Sequence, residues 1–228
     1  MRAPTAALLL LLAGCGQTTG ADVLRALVWP IPVPDSLFES GETVRLAEWD
    51  RQEPRELPNE PALALRLGSS RRGVATLLQA DGTQRLWRTN GGVVVATEGA
   101  RVVATAGLER ILAATRFDGP DPLPDAVNLG DRTARTWRIV DVMRPDLRPQ
   151  GMRFGLRLEC RMRLRQTEDP ATVLAEESCH GAARFTNRFW LDAQTGAVYL
   201  SEQWVGEDMP LLQVEVLSAE APAASPAR

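Results

Sequence analysis

The clearest pattern of polar and apolar positions in the chain lies between Arg153 and Arg165. Over these 13 residues apolar side chains occupy every second position, and charged side chains occupy most of the positions between them. A period of two is typical of an antiparallel strand with one buried and one exposed face. The pattern places Cys160 on the buried face and five arginines on the exposed face: Arg153, Arg157, Arg161, Arg163 and Arg165.

Shorter apolar or alternating runs predict further strands along the chain. A turn at Glu168-Asp169-Pro170 would reverse the chain and bring Cys179 alongside Cys160, and Asp81-Gly82 suits a tight hairpin. About ten short strands at hairpin spacing predict an antiparallel all-β barrel or sandwich. One or two short helices are expected with them, at residues 22–29 and 108–114. The other strand predictions cover residues 62–67, 74–79, 85–89, 93–97, 101–105, 133–143, 183–191, 197–205 and 212–217.

Composition divides the chain into four segments. Residues 1–14 have the features of a signal peptide, and residues 15–34 of a proline-containing tether and entry segment. Residues 35–218 form a single β-rich domain in this prediction, because their length suits one hydrophobic core. The Ala/Pro/Ser-rich residues 219–228 are expected to be disordered.

The start of the chain carries a candidate lipidation site. Arg2 and an apolar run precede Leu12-Ala13-Gly14-Cys15, the order of a secretory signal with small residues at its cleavage site. A cysteine directly after that site resembles the lipobox of bacterial lipoproteins, in which the cysteine is acylated and becomes the first residue. We therefore predict that acyl chains such as palmitate on Cys15 bind membrane lipid, since each buried CH₂ contributes about 0.8 kcal/mol. The alternative is an ordinary signal peptide with an incidental cysteine.

Charge and hydropathy restrict the partners of the protein. The formal net charge is -3 and the two signs are interleaved, so we expect no nucleic acid partner. No apolar run reaches the roughly 20 residues that a spanning helix needs. All 26 basic residues are arginine, which we attribute mainly to genomic base composition. A cluster of arginines therefore carries less information here than in most proteins.

Two cysteines remain once Cys15 is assigned to lipid. Cys160 and Cys179 lie 19 positions apart in an exported chain, which favours a disulfide. Two unpaired buried thiols are the alternative. We expect no metal site, because His180 is the single histidine and the chain has no Cys-x-x-Cys.

The sequence contains no recognisable catalytic constellation. His180 adjoins Cys179, and neighbouring strand residues point to opposite faces, so they make a poor catalytic pair. A phosphate-binding loop with its lysine is impossible without lysine, and we expect no cofactor. Carboxylates could converge in the fold for glycosidase chemistry, but their interpretation as solvated surface acids is favoured. They are Glu98, Glu109, Asp118, Asp121, Glu176, Glu177 and Asp192.

Arginine and tryptophan supply the candidate binding surface. The five arginines of the 153–165 strand could bind an anionic sugar polymer or a partner protein, or form a solvated face balanced by acids. The six tryptophans could stack on sugars, but core packing is favoured for the set. Trp190 adjoins Phe189, so one of the two would lie on the outer face of a strand and Trp190 joins the candidate surface.

Three segments together resemble the YjbF/GfcB-type lipoproteins, which are associated with exopolysaccharide and capsule production in Gram-negative bacteria. They are the lipobox, WRTNGGVVVATEGARVVATAGL at residues 87–108 and FWLDAQTGAVYLSEQW at residues 189–204. The resemblance implies a β-rich lipoprotein on the periplasmic face of the outer membrane that acts in polysaccharide assembly or export. Gly16, in place of the aspartate typical of inner-membrane retention, agrees with outer-membrane sorting.

Three functional hypotheses remain open. The first is a non-enzymatic accessory or binding factor whose partners are a polysaccharide or other envelope proteins of the exopolysaccharide system. The second is a polysaccharide-modifying hydrolase, and the third is an envelope scaffold without a ligand. A structure separates the second from the others, because a hydrolase needs two carboxyls facing each other across a cleft, roughly 5 to 10 Å apart.

Overall fold

The computed structural model describes residues 60–69, 71–144 and 148–218. They belong to a compact unit, Ser40–Arg228. Cys15, the predicted helix at 22–29 and the segments 1–14, 15–34 and 219–228 lie outside the described residues, so these assignments and the domain boundaries stay predictions. None of the helices among the described residues has the length and apolarity to cross a membrane.

The described residues form twelve strands and two short 3-10 turns. The turns are Ala126–Leu129 and Pro149–Gly151. The strands are β1 (Ala62–Leu67), β2 (Arg71–Asp81), β3 (Gln84–Thr89), β4 (Val94–Glu98), β5 (Arg101–Ala106), β6 (Ile111–Asp118), β7 (Ala134–Met143), β8 (Arg153–Gln166), β9 (Thr172–Gly181), β10 (Phe185–Asp192), β11 (Val198–Gln203) and β12 (Leu212–Ser218).

The twelve strands form one antiparallel sheet that curls into a nearly closed barrel. Each strand pairs with the next along the chain except at β5 and β6, which are the two edges of the sheet, and β1 pairs with β12. Such a meander needs only short connections, and the predicted Asp81-Gly82 hairpin joins β2 to β3 with Gly82 at φ 54°. The predicted all-β antiparallel fold is confirmed.

The alternation on β8 is confirmed over most of its length. Leu158, Cys160 and Met162 are buried, whereas the five arginines are exposed. Phe154 departs from the pattern and is 51% exposed.

A β-bulge explains the exposure of Phe154. Val140 pairs with Leu156 and Val142 with Arg153, so two residues of β8 lie opposite one residue of β7. Gly155 adopts φ 66° there and donates its backbone N–H to Asp141 Oδ1 at 2.6 Å. The extra residue reverses the side-chain parity beyond it, which turns Phe154 outward.

The helix expected at residues 108–114 is wrong. The chain turns after β5 and enters β6 at Ile111, and residues 111–114 are all buried. A strand that is buried on both faces has a continuous apolar run instead of an alternating one. Over seven residues that run cannot be distinguished from a short helix by periodicity.

The long connection between β6 and β7 covers part of the inner face of the barrel. Leu123 and Ala126 from this connection pack in one apolar cluster with Met162, Ala175 and Phe189 of β8, β9 and β10. This packing brings Asp121, which lies two residues before Leu123, toward the interior.

Cys160 and Cys179 lie directly opposite each other on β8 and β9. Their sulfur atoms are 2.07 Å apart, the distance of a disulfide bond, and their Cα atoms are 4.1 Å apart. The turn between β8 and β9 therefore places the two cysteines as the strand pattern predicts.

We predict that replacing both Cys160 and Cys179 by alanine lowers the free energy of unfolding by about 3 kcal/mol, because the unfolded chain loses a loop constraint. Urea unfolding of the oxidised wild type and the double variant measures the difference. Mass spectrometry after alkylation without reductant is the second readout. A mass gain at these two positions in the wild type would show free thiols and contradict the disulfide.

Candidate functional site

The five predicted arginines of β8, which we call the arginine face, are all exposed; Arg157, Arg161, Arg163 and Arg165 share the outer side, and Arg153 lies beyond the bulge at the start of the strand. Four of them contact acids: Arg153 binds Glu207, Arg157 lies 4.0 Å from Asp118, Arg161 lies 3.0 Å from Glu159, and Arg165 binds Glu176. Among the described residues Arg163 has no ion pair within 4.0 Å. Acids therefore balance part of the charge of the arginine face. This agrees with the interpretation of these arginines as a solvated face balanced by acids.

Charges of alternating sign continue from β8 across the outer surface. Glu176 on β9 binds Arg165 and lies 3.8 Å from Arg188 on β10, and Arg188 binds Glu202 on β11 at 3.0 Å. Each such exposed pair contributes little, typically below about 1 kcal/mol. This row of exposed pairs therefore contributes little to the stability of the barrel.

The tryptophans divide between core and surface. Trp87 and Trp204 are buried, as favoured for the set, but Trp137 on β7 is 48% exposed. Phe189 is buried and Trp190 is half-buried on the opposite side of β10, so the predicted divergence of this pair is confirmed. No sequence pattern distinguished Trp137 from the other tryptophans. In the structure it alternates with Thr136 and Arg138, which are both buried, so it lies on the outer face of β7.

His180 does not form a catalytic pair with Cys179. Cys179 faces inward in the disulfide, whereas His180 is exposed and its Nε2 lies 3.4 Å from Glu159. A hydrogen bond from Arg161 holds the pKa of Glu159 below its ordinary value, and the charge of His180 contributes in the same direction. This carboxylate therefore stays ionised on the outer surface.

The interior of the barrel contains a buried carboxylate, Glu177, which the sequence predicts to be a solvated surface acid. Its side chain is fully buried, which corrects that interpretation. Glu177 Oε2 accepts hydrogen bonds from Arg101 at 2.9 Å, Arg138 at 3.2 Å and Asn187 at 2.8 Å. These residues, with Asp121, are called the Glu177 cluster below.

Asp121 completes the charge balance of the Glu177 cluster. It binds Arg101 through two hydrogen bonds, of 2.6 Å to Nε and 2.7 Å to the guanidinium terminus. The guanidinium also lies 4.8 Å from the ring centre of Phe117 and 5.1 Å from that of Phe189. The cluster therefore has two positive and two negative side chains with apolar rings around them.

The environment keeps every charged member of the cluster ionised. Burial alone would raise the pKa of Glu177, but Arg101 and Arg138 outweigh it and lower the pKa below its ordinary value. Burial would lower the pKa of Arg101, yet Glu177 and Asp121 raise it above its ordinary value. Burial lowers the pKa of Arg138, and the attraction of Glu177 does not fully offset this. Both arginines stay charged because a guanidinium deprotonates far above neutral pH.

A buried amide satisfies the backbone of the edge strand β5. Gln203 Oε1 accepts a hydrogen bond from the backbone N–H of Val102 at 2.9 Å, and its Nε2 donates to the carbonyl of Ala100 at 2.8 Å. The side chain thus supplies the donor and acceptor that a neighbouring strand would provide. Arg101 lies between these two residues, so the amide also positions the guanidinium.

The cluster is built for structure and not for proton transfer. A general acid needs a pKa raised toward neutrality and access to substrate, whereas the pKa of Glu177 is lowered and the side chain is buried. Cys160, Cys179 and Glu177 place ligand-type atoms within 4.8 Å of one another. The two sulfurs bind each other and the carboxylate binds two arginines, so this donor set does not fit a metal ion.

One sequence signal identifies Glu177 in retrospect. Glu177 lies two residues before Cys179 and two after Ala175, on the same face of β9 as these buried residues. A charged residue at an inward position of a strand requires a buried partner. Its charged partners, Arg101 and Arg138, are 76 and 39 positions away, and no local pattern connects them.

An open groove of about 480 Å³ lies beside the start of β10. Phe185 and Trp204 stack in its wall with ring centres 4.6 Å apart. Two carboxylates line the groove, but Glu207 binds Arg153 and Asp208 lies 3.6 Å from Arg110. The carboxylates of the groove are therefore engaged by arginines.

We predict that Glu177→Gln destabilises the fold by about 3 to 5 kcal/mol, because it leaves two buried guanidiniums without their shared counter-charge. The matched control is Glu176→Gln, which removes the adjacent carboxylate on the outer face and costs below about 1 kcal/mol. Urea unfolding of the two variants measures both values. Equal losses in the two variants would contradict the assigned role of Glu177.

We predict a loss of stability in acid that depends on Glu177. The pKa of Glu177 is lower in the folded than in the unfolded state, so ionised Glu177 stabilises the folded protein. This stabilisation is complete above the unfolded pKa of about 4.3 and is lost as the pH falls from that value through the folded pKa. Unfolding free energies measured from neutral pH down to the folded pKa of Glu177 should fall less steeply with decreasing pH in Glu177→Gln than in the wild type. Parallel curves for the two proteins would show that other groups dominate.

Comparison with known proteins agrees with the fold. The crystal structure of the hypothetical lipoprotein YmcC from Escherichia coli (K12) superposes with a TM-score of 0.60 at 19% sequence identity. The superposition covers 90% of this chain and 99% of that chain. At this identity the likeness shows a shared fold.

Comparison with protein families assigns the chain more specifically than comparison with solved structures, which shows its fold alone. No curated protein matches the chain significantly. Residues 36–217 match the family described as group 4 capsule polysaccharide lipoprotein gfcB, YjbF. The resemblance seen in the sequence is thereby confirmed, and the chain belongs to the YjbF family of capsule polysaccharide lipoproteins.

Proposed function

We propose that the protein is a lipid-anchored, non-enzymatic accessory factor in the assembly or export of an exopolysaccharide or capsule. In this proposal acylated Cys15 holds it at the periplasmic face of the outer membrane. The family description and the lipobox Leu12-Ala13-Gly14-Cys15 support this. The β-barrel then acts through its surface, by contact with the polysaccharide or with other envelope proteins of the same system.

The observation that carries the proposal is the contrast between the interior and the outer face. Inside, the charged groups of the Glu177 cluster bind one another and apolar side chains surround them. Outside, β7 and β8 present exposed arginines and an exposed tryptophan. Binding chemistry is thus available at the surface, where polymers and proteins have access.

The hydrolase alternative is less well supported by the described residues. Their buried carboxylates are Glu177 and Asp141. Glu177 binds two arginines, and Asp141 binds the backbone N–H of Gly155 and lies 3.5 Å from Arg116. A glycosidase requires one protonated and one ionised carboxyl on either side of a substrate cleft. Carboxylates that arginines neutralise do not supply that pair.

Gene deletion with complementation tests the proposal. We expect deletion to reduce secreted and surface polysaccharide and the wild-type gene to restore it. A Cys15→Ser form, which cannot be acylated, should fail to restore output although it is exported. Unchanged output on deletion would overturn the proposal, and full rescue by Cys15→Ser would remove the anchor from it.

A triple variant separates a binding factor from a ligand-free scaffold. Neutralising Arg157, Arg161 and Arg163 to glutamine removes exposed charge, and the fold should survive because surface pairs contribute little. A binding factor predicts reduced polysaccharide output at normal protein level, which immunoblotting checks. Unchanged output would favour the scaffold.

A further inference from the structure

Trp137 lies in a distinctive position on the outer surface of β7. Its strand neighbours in register are Asp118 on β6 and Glu159 on β8. The indole is 48% exposed, although two other described tryptophans are buried in the core. A half-exposed indole between two carboxylates offers a ligand an apolar stacking surface with hydrogen-bond acceptors on either side.

Two arginines face each other directly beside Trp137. Arg135 on β7 pairs in register with Arg161 on β8, and like charges at directly opposed positions destabilise a sheet. Arg161 also binds Glu159 at 3.0 Å, whereas Arg135 has no ion pair within 4.0 Å in the described part of the chain and acts on Glu159 only at longer range. Glu159 thus balances one of the two charges: it binds Arg161 directly and interacts with Arg135 at longer range, and the pair keeps an excess of positive charge over this carboxylate.

The surroundings of the indole also contain Arg157. It lies two residues before Glu159 on β8 and 4.0 Å from Asp118. We call the six residues of this surface the Trp137 patch: Asp118, Arg135, Trp137, Arg157, Glu159 and Arg161. Three arginines and two carboxylates give the patch one net positive charge. Its charge and its exposed ring are complementary to an anion that also has an apolar face.

We propose that the Trp137 patch binds an anionic sugar unit of a polysaccharide, which identifies the ligand class of the surface in the proposed function and rests on that function. The indole ring stacks on the C–H face of the sugar. Arg135 and Arg161 donate hydrogen bonds to its acidic group, since a guanidinium matches a carboxylate or sulfate through two parallel N–H donors. Asp118 and Glu159 accept hydrogen bonds from sugar hydroxyls.

The arginine face extends the patch along β8. Arg157 and Arg165 are eight residues apart, which corresponds to about 26 Å of strand at 3.3 Å per residue. A row of this length exceeds a single sugar unit and suits a polymer. An anionic lipid surface fits less well, because it would set a continuous layer of negative headgroups against Asp118 and Glu159, whereas a sugar unit has a single acidic group and several hydroxyls that these carboxylates can bind.

Binding measurements on the full acylated chain in non-ionic detergent test the proposal. The probes are polygalacturonate, which has carboxylates, its methyl-esterified form, which lacks most of them, and dextran sulfate. We expect binding to at least one of the two anionic polymers and at least tenfold weaker binding to the ester. The carboxylate and sulfate polymers show which acidic group the patch prefers. No binding to either anionic polymer, or equal binding to the ester, overturns the proposal.

Variants locate the binding to the patch. Trp137→Ala, and separately Arg135→Gln with Arg161→Gln, should each weaken binding about tenfold. Phe154→Ala removes another exposed aromatic ring and Arg66→Gln another exposed arginine, and both should bind as the wild type does. Wild-type affinity in the patch variants contradicts the proposal. Binding to phosphatidylglycerol vesicles without binding to either polymer assigns the patch to lipid instead.

These outcomes are distinct from failure of the proposed function. If the patch variants bind normally but deletion still reduces polysaccharide output, only the inference about the patch fails. If deletion leaves output unchanged, the proposed function fails whatever the binding result.

Discussion

The barrel depends on the electrostatic balance around Glu177. A fully buried carboxylate would be prohibitively expensive alone, and here two guanidiniums and an amide compensate it. Arg101 comes from β5, Arg138 from β7 and Asn187 from β10, while Glu177 itself lies on β9. The same arginine holds Asp121 from the β6–β7 connection. One carboxylate therefore links four strands and, through Arg101, a loop.

Hydrogen bonds from side chains to the backbone explain how the sheet nearly closes although its two edge strands do not pair. β5 and β6 are the two edges, and the described residues have no ladder between them. Gln203 binds the backbone on either side of Arg101, and Thr105 Oγ1 accepts a hydrogen bond from the backbone N–H of Leu112. Side chains thus satisfy backbone groups that would otherwise be buried without partners. Specific hydrogen bonds replace strand pairing at this seam.

Arginine has two different roles in this chain. Arg101 and Arg138 are buried and contribute geometry, because a rigid guanidinium can bind carboxylates along separate edges. Arg135, Arg157 and Arg161 are exposed, and they give the outer surface positive electrostatic potential and hydrogen-bond donors. Composition alone does not separate these roles, since every basic residue is arginine. The parity of each residue on its strand separates them.

Local pattern was sufficient for the antiparallel strands, the inward direction of Cys160 and the exposed arginines, because side-chain alternation depends only on neighbouring residues. It failed at residues 108–114, where burial on both faces removes the alternation, and at Phe154, where a bulge reverses it. The Glu177 cluster and the Trp137 patch required the tertiary structure. Their members come from separate strands, and only the register between those strands decides which charges meet and which remain exposed.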